Sequence, residues 1–274
     1  MTFDNPAHVK SMQTRDWKAF VESIGGSSFV IEVARQASRV ILERYQSPRV
    51  EHVDKDDGSP VSEADLAAAA VIVASLSVTK IPVVCEEGAL PNIEGAPLFW
   101  LVDPLDGTRE FLARNGEFSV NIALVAGDEP VLGVIAIPVT GEVFLGVRGE
   151  GARRIFEGKE SRISNQRTCS EYIAAVSRSF GSSEIDEGLR RCGVVKTLRC
   201  GSAIKFCRLA EGHADLYLRL GRTMEWDTAA GQVVIEEAGC RLVTLPGQRT
   251  LTYRKPNFAN SDFIALRSDI NIPL

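Results

Sequence analysis

The chain has 274 residues, 45% of them hydrophobic and 24% charged, with 23 glycines and 12 prolines. That length points to one large domain or two moderate ones around a sizeable core, and it excludes knottin-like, fibrous and disordered chains. Lys plus Arg 31 against Asp plus Glu 36 leaves a formal charge of −5, so no net positive field gathers nucleic acid or anionic lipid, although a local site can still hold a small phosphorylated ligand.

The first 25 residues carry Asp4, Lys10, Arg15, Asp16, Lys18 and Glu22 without a continuous apolar stretch, which is unlike a signal peptide. Phe29, Val33, Ala37, Val40 and Ile41 recur at spacings of three and four, predicting an amphipathic helix over 28–45 that ends before Ser47-Pro48. The polar stretch 51–59 reads as a solvated loop or short edge strand. Ser62 followed three residues later by Asp65 opens a second helix, Ala-rich to Leu76, whose carboxylates lie at its N-terminal end. Within it, 66–74 is the longest apolar run, nine residues, about half of a membrane span.

Short apolar runs at 81–85 and 98–102 read as core strands. From Phe118 the pattern becomes a meander, with strands at 118–125, 131–137 and 142–147. The Arg/Lys/Glu-rich stretch 148–167 loses apolar periodicity and reads as a joint, dividing the chain into 1–160, an α+β domain, and 161–274, a smaller α/β domain. In the second part, strands at 172–176, 194–198, 215–218 and 241–243 alternate with helices at 183–191, 203–210 and 228–238. The six cysteines, Cys85, Cys169, Cys192, Cys200, Cys207 and Cys240, form no CxxC and sit mostly in apolar segments. They read as buried thiols of a reduced, cytoplasmic protein.

The sharpest local signal is Asp103-Pro104-Leu105-Asp106-Gly107-Thr108 directly after a strand. Two carboxylates three residues apart, with Pro fixing a backbone angle and Gly relieving the turn, make a rigid loop suited to a hard cation. Gly107 and Thr108 can also offer N–H groups to phosphate oxygens. Glu86-Glu87 at a strand end, Asp65 at a helix start and Asp227 in Trp226-Asp227-Thr228 are the other acids of interest. Each alone has a plain reading: a tight turn, a surface pair, or a helix cap.

Together they all lie at the ends of elements, where α/β folds place their sites. If Asp65, Glu86, Asp103, Asp106 and Asp227 meet, each like-charge pair costs about 1 kcal/mol at about 4 Å in water and several-fold more when partly buried. Mg²⁺ would cancel that charge. Zinc is disfavoured because His8, His52 and His213 are scattered.

These motifs resemble the lithium-sensitive, magnesium-dependent phosphatases of the inositol monophosphatase family, and within it the bacterial 3'(2'),5'-bisphosphate nucleotidases. The resemblance runs over nearly the whole chain. It rests on 59–65 (SPVSEAD), Cys85-Glu86-Glu87, 100–111 (WLVDPLDGTREF), 115–118 (NGEF), 120–124 (VNIAL), 201–207 (GSAIKFC) and 226–231 (WDTAAG). Cys85 stands where Ser or Gly is often found before the paired glutamates.

The resemblance implies the layered αβαβα sandwich of the inositol monophosphatase and fructose-1,6-bisphosphatase type. It makes Glu86, Asp103 and the Leu105 carbonyl ligands of a first Mg²⁺, and Asp103, Asp106 and Asp227 ligands of a second. Asp65 would hold a third ion or its waters. Thr108, with Glu86 or its neighbouring acid, would orient the attacking water, and Gly107 and Thr108 would hold the phosphate being cleaved. The implied reaction removes the 3'-phosphate of 3'-phosphoadenosine 5'-phosphate, with lithium inhibition. It also leaves room for peripheral association with the inner membrane face, for which no anchor is visible.

Gly201 and Ser202 resemble the family's sugar-hydroxyl contact. Inositol monophosphatases carry a glutamate shortly before the Trp-Asp motif, whereas this chain has Arg219 and Arg222 there, which suits a second phosphate. Lys205 and Arg109 are further candidate substrate contacts, Arg109 near the substrate mouth, and Arg219, Arg222 and Lys205 also admit a plain surface reading. The alternatives are a phosphatase of inositol, histidinol or fructose phosphates, and a catalytically inactive binding protein. The partner implied is a small phosphorylated nucleotide, with no nucleic acid, no transmembrane segment and the oligomeric state open.

Overall fold

A computed structural model describes residues 16–48, 50–55, 58–167, 171–179 and 181–272. The readings of residues 1–15 and of Cys169 fall outside them. Helices α1 (Trp17–Ser23) and α2 (Ser27–Tyr45) are followed by a hairpin of β1 (His52–Asp54) and β2 (Pro60–Ser62), then by α3 (Glu63–Ser77). Strands β3 (Val83–Cys85) and β4 (Leu98–Asp106) pair in parallel. After the single turn α4 (Thr108–Leu112), five strands add antiparallel: β5 (Ser119–Ala126), β6 (Glu129–Ile137), β7 (Glu142–Val147), β8 (Gly151–Phe156) and β9 (Lys159–Ile163).

The second sheet, ordered β11-β10-β12-β16-β14, uses β10 (Tyr172–Ser177), β11 (Val194–Cys200), β12 (Leu216–Arg219), β14 (Cys240–Thr244) and β16 (Phe263–Arg267). Between these strands come α5 (Ser183–Arg191), α6 (Ile204–Ala210) and α7 (Glu225–Glu236), and the short pair β13 (Thr223–Met224) with β15 (Ala259–Asn260).

Three apolar clusters define five layers. Val33, Ala37 and Ile41 of α2 and Ala68 and Ile72 of α3 pack on Trp100, Val102 and Ile122, one face of the first sheet. The opposite face, with Phe99, Leu101 and Ala123, shares a cluster with Phe206 of α6, Ala230 and Val234 of α7, and Tyr217 and Phe263 of the second sheet. Leu216, Leu218 and Ile264 cover the outer face of that sheet with Ile185 and Leu189 of α5. The sequence αβαβα is the expected layering. Because both faces of β4 and β5 are covered, these strands are apolar at nearly every position and show no alternation.

The stretch 148–167 is corrected: it carries β8 and β9 and is the edge hairpin of the first sheet. Its charges belong to an edge exposed to water, as at β9, where four of five residues are exposed. We propose the change of sheet between Ile163 and Tyr172 as the joint between the two parts.

Helix α7 seats on the first sheet through two glycines. Gly133 and Gly146 face each other across β6 and β7. A Cβ at Gly133 would lie 2.4 Å from the Ala230 carbonyl oxygen, and one at Gly146 2.7 Å from the backbone at Val233. Backbone cannot yield as a side-chain tip can, so only glycine permits this approach. Gly146→Ala is therefore expected to destabilise the protein by about 1–3 kcal/mol. Gly181→Ala, which meets nothing within 4 Å, should stay within about 0.5 kcal/mol of the parent. Urea unfolding midpoints of the two variants compare them directly.

Candidate active site

Parallel pairing sets Cys85 beside Val102, and the Glu86 N–H donates to the Val102 carbonyl at 3.1 Å. This carries the Glu86 carboxylate to Asp103, one residue further along β4. Between Asp103 and Asp106 the register with β5 slips, and the Leu105 N–H donates to Asp103 Oδ1 at 3.1 Å. Gly107 follows with φ +94°, the left-handed turn that starts α4. From the far side, α7 delivers Asp227 in its first turn, where Asp227 Oδ2 accepts the Met224 N–H at 2.8 Å. The capping reading of Asp227 is thus also true.

Glu86, Asp103 and Asp227 each bring a carboxylate oxygen within 4.8 Å of the others, a group consistent with a divalent metal site. At that spacing each charged pair costs roughly 3 kcal/mol at an effective dielectric of about 20. Burial raises the carboxyl of Asp103 well above the usual range, and the charges of Glu86, Asp106 and Asp227 add to the effect. Asp227 is raised by burial and then by Asp106 and Glu86. Burial pushes Asp106 up to about 6 against the pull of Lys205. Among the described residues no lysine or arginine forms an ion pair with Asp103 or Asp227. Carboxylates without histidine or thiolate suit a hard cation.

Sequence reasoning missed Lys55, whose ammonium reaches Glu86 at 2.9 Å and Glu87 at 2.5 Å from the β1–β2 turn. Burial disfavours that charge, but the two glutamates outweigh it and hold Lys55 above the usual lysine range. The Thr108 hydroxyl donates to Asp65 Oδ1 at 2.9 Å. Asp65 also completes a capping box, accepting the Ser62 N–H at 2.8 Å and the Ser62 hydroxyl at 2.5 Å on its other oxygen. Burial raises its carboxyl, opposed by those bonds.

Glu86, Asp103, Asp106, Thr108 and Asp227 face a cavity of about 240 Å³. Its lining includes Glu86, Asp103, Leu105, Asp106, Gly107, Thr108, Arg109, Ser202, Lys205, Arg219 and Asp227; Asp65, Gly201 and Arg222 are not part of it. Lys205 is buried, not solvated as a helical lysine usually is: its ammonium donates to the Ser202 carbonyl at 2.6 Å and lies 5.3 Å from the Tyr217 ring centre. Burial lowers its pKa while Asp106 opposes the change. Gly201 is pinned by its N–H donating to Glu117 at 2.8 Å, and Arg178 grips the same carboxylate with two bonds of 2.6 Å.

The five described cysteines, Cys85, Cys192, Cys200, Cys207 and Cys240, are buried and unpaired. Burial pushes the Cys85 thiol up to about 11, which leaves little thiolate for nucleophilic work. Among the described residues no helix is long and apolar enough to cross a membrane.

A carboxyl raised on folding is more protonated in the folded than in the unfolded chain. Its stabilising contribution is therefore full below the ordinary aspartate range and lost as pH rises through the folded value, about 6 for Asp106. A divalent ion held among these carboxylates would replace the lost protons. The rise in melting temperature on adding Mg²⁺ to metal-stripped protein should be larger at about pH 7.5 than at about pH 5. Equal rises would contradict this electrostatic reading.

The model of the inositol monophosphatase family matches residues 26–268. The 3'(2'),5'-bisphosphate nucleotidase CysQ of Salmonella typhimurium is 38% identical over 246 residues, 85% of this chain and 96% of that protein; its Buchnera aphidicola counterpart is 35% identical over 245. The crystal structure of CysQ from Bacteroides thetaiotaomicron superposes with a TM-score of 0.79 at 36% identity, covering 88% of this chain and 97% of that one. Extragenic suppressor protein suhB from Bartonella henselae gives 0.75 at 28% identity, covering 89% and 94%. The αβαβα layering, the carboxylate cluster and these likenesses agree: the chain belongs to the inositol monophosphatase family.

Proposed function

We propose that the protein is a cytoplasmic, Mg²⁺-dependent phosphomonoesterase that removes the 3'-phosphate of 3'-phosphoadenosine 5'-phosphate, giving AMP and phosphate. The observation that carries this reading is the carboxylate cluster of Glu86, Asp103 and Asp227 opening into a cavity that also holds Lys205, Arg219 and Arg109. The relatives named CysQ support the choice of substrate.

In this reading Glu86, Asp103 and the Leu105 carbonyl hold one ion, and Asp103, Asp106 and Asp227 a second. Asp65 serves a third or its waters. Bound Mg²⁺ supplies Lewis acidity, making water more acidic and offsetting the charge that develops on the departing 3'-oxygen. The chain does the rest. The Thr108 hydroxyl donates a hydrogen bond to Asp65, so its lone pairs, together with Glu86 or its neighbouring acid, accept from the attacking water and aim it. The N–H groups of Gly107 and Thr108 bind oxygens of the phosphate under attack. Lys205, Arg219 and Arg109 meet the second phosphate, with Arg222 beside them: Arg219 donates to the Arg222 carbonyl at 3.3 Å. Gly201 and Ser202 read the sugar.

A phosphate-release panel over 3'-phosphoadenosine 5'-phosphate, inositol phosphate, histidinol phosphate and fructose bisphosphate tests the assignment. The bisphosphate nucleotide should lead, with activity lost in EDTA and inhibited by lithium; a lead by inositol phosphate would contradict the reading. Asp106→Asn keeps the shape and removes a ligand, so kcat should fall about 10³-fold or more while the unfolding transition survives. Near-parental kcat would remove Asp106 from the metal site.

A further inference from the structure

Strand β5 is apolar at most positions but places Ser119 and Asn121, two residues apart and fully buried, opposite Asp106 and Asp103 in the ladder with β4. Successive side chains alternate faces, so both point to the sheet face that carries the cavity. They join a chain of hydrogen bonds. The Ser119 hydroxyl donates to Asn121 Oδ1 at 3.0 Å, and Asn121 Nδ2 donates to Asp106 Oδ2 at 3.4 Å. At the other end, the Ser119 and Ser202 hydroxyl oxygens are 3.1 Å apart.

Proton counting fixes the direction of this chain. An ionised carboxylate only accepts, so Asn121 must present its amide N–H₂ to Asp106 and its carbonyl to Ser119. Turning the amide over would set oxygen against oxygen. Ser119 has one proton, which goes to Asn121, so it accepts from Ser202. Ser202 has then spent its own proton. Its φ of +46° is unusual for serine, and the Glu117 carboxylate that binds the Gly201 N–H holds the preceding residue. Its oxygen also accepts the Ile204 N–H at 3.5 Å, which leaves one lone pair to offer where Ser202 lines the cavity.

We propose that Ser119 and Asn121 are positioning residues that make the Ser202 hydroxyl an obligate acceptor. The cavity thereby selects a substrate carrying a free sugar hydroxyl at this point and disfavours an acceptor-only phosphate oxygen there. The same chain orients Asp106 toward its ion. This deepens the proposed function and rests on its assignment of Asp106 as a metal ligand and Ser202 as a sugar contact.

The test has two arms. In the first, kcat/KM is compared for 3'-phosphoadenosine 5'-phosphate and its 2'-deoxy analogue. The parent should prefer the hydroxyl form by roughly tenfold. Ser119→Ala frees the Ser202 proton and should bring the ratio toward one, mainly through KM for the hydroxyl form. An unchanged ratio in Ser119→Ala, or no preference in the parent, overturns the selection claim.

The second arm needs no substrate. Mg²⁺ is titrated calorimetrically into metal-stripped Asn121→Ala, Asn121→Ser and parent protein, with unfolding midpoints measured alongside. Loss of the amide should weaken Mg²⁺ binding about 10–100-fold, and unchanged binding in both folded variants overturns the tie to Asp106. Should the parent cleave only some other phosphate, the choice of substrate fails while this second arm still decides the link to the metal site.

Discussion

Three carboxylates from three separate elements, Asp103 buried and Glu86 and Asp227 half-buried, with their oxygens inside 4.8 Å, are the constraint that the rest of the architecture serves. Such a group opposes folding unless protons or cations neutralise it. The chain therefore has to force the approach with geometry that does not relax. Parallel pairing of β3 with β4 fixes Glu86 against Asp103. The glycine seat of Gly133 and Gly146 lets α7 approach the sheet backbone, and α7 carries Asp227. Each contributor is locked by a bond of its own: Leu105 N–H on Asp103, Met224 N–H on Asp227 and Lys55 on Glu86.

The site also depends on both sheets. Helix α7 shares a core cluster with the inner faces of the two sheets, through Ala230 and Val234. Arg178, just past β10 of the second sheet, clamps Glu117, which in turn holds the Gly201 N–H. The carboxylates are thus supplied by both parts of the chain, and the groups read as substrate contacts after residue 200 are braced against the first part.

Much of this was legible in residue order. The spacing of Val33, Ala37 and Ile41 marks α2, and Ser62 with Asp65 marks the start of α3, because periodicity and caps are local signals. The acids Glu86, Asp103, Asp106 and Asp227 could be picked out because turn residues and element ends surround them. Other features were hidden for physical reasons. The hairpin β8–β9 lies at a sheet edge, so its charges mimic a linker. Helix α4 is one turn and too short for any period. Ser119 and Asn121 fall within the strand read over 118–125 and carry no motif of their own, although two polar residues at i and i+2 do signal a polar spot on one face. The pairing of Thr108 with Asp65, 43 positions away, and of Lys55 with Glu86 are tertiary facts that no local pattern encodes.

The central claim is that divalent cations take over from protons in neutralising these clustered acids. Calorimetric Mg²⁺ titration of metal-stripped protein near pH 6, repeated in buffers of different ionisation enthalpy, counts the protons released on binding. The account predicts saturable binding with net proton release, reduced in Asp103→Asn and Asp227→Asn. Binding with no proton release, or no saturable binding, would contradict it.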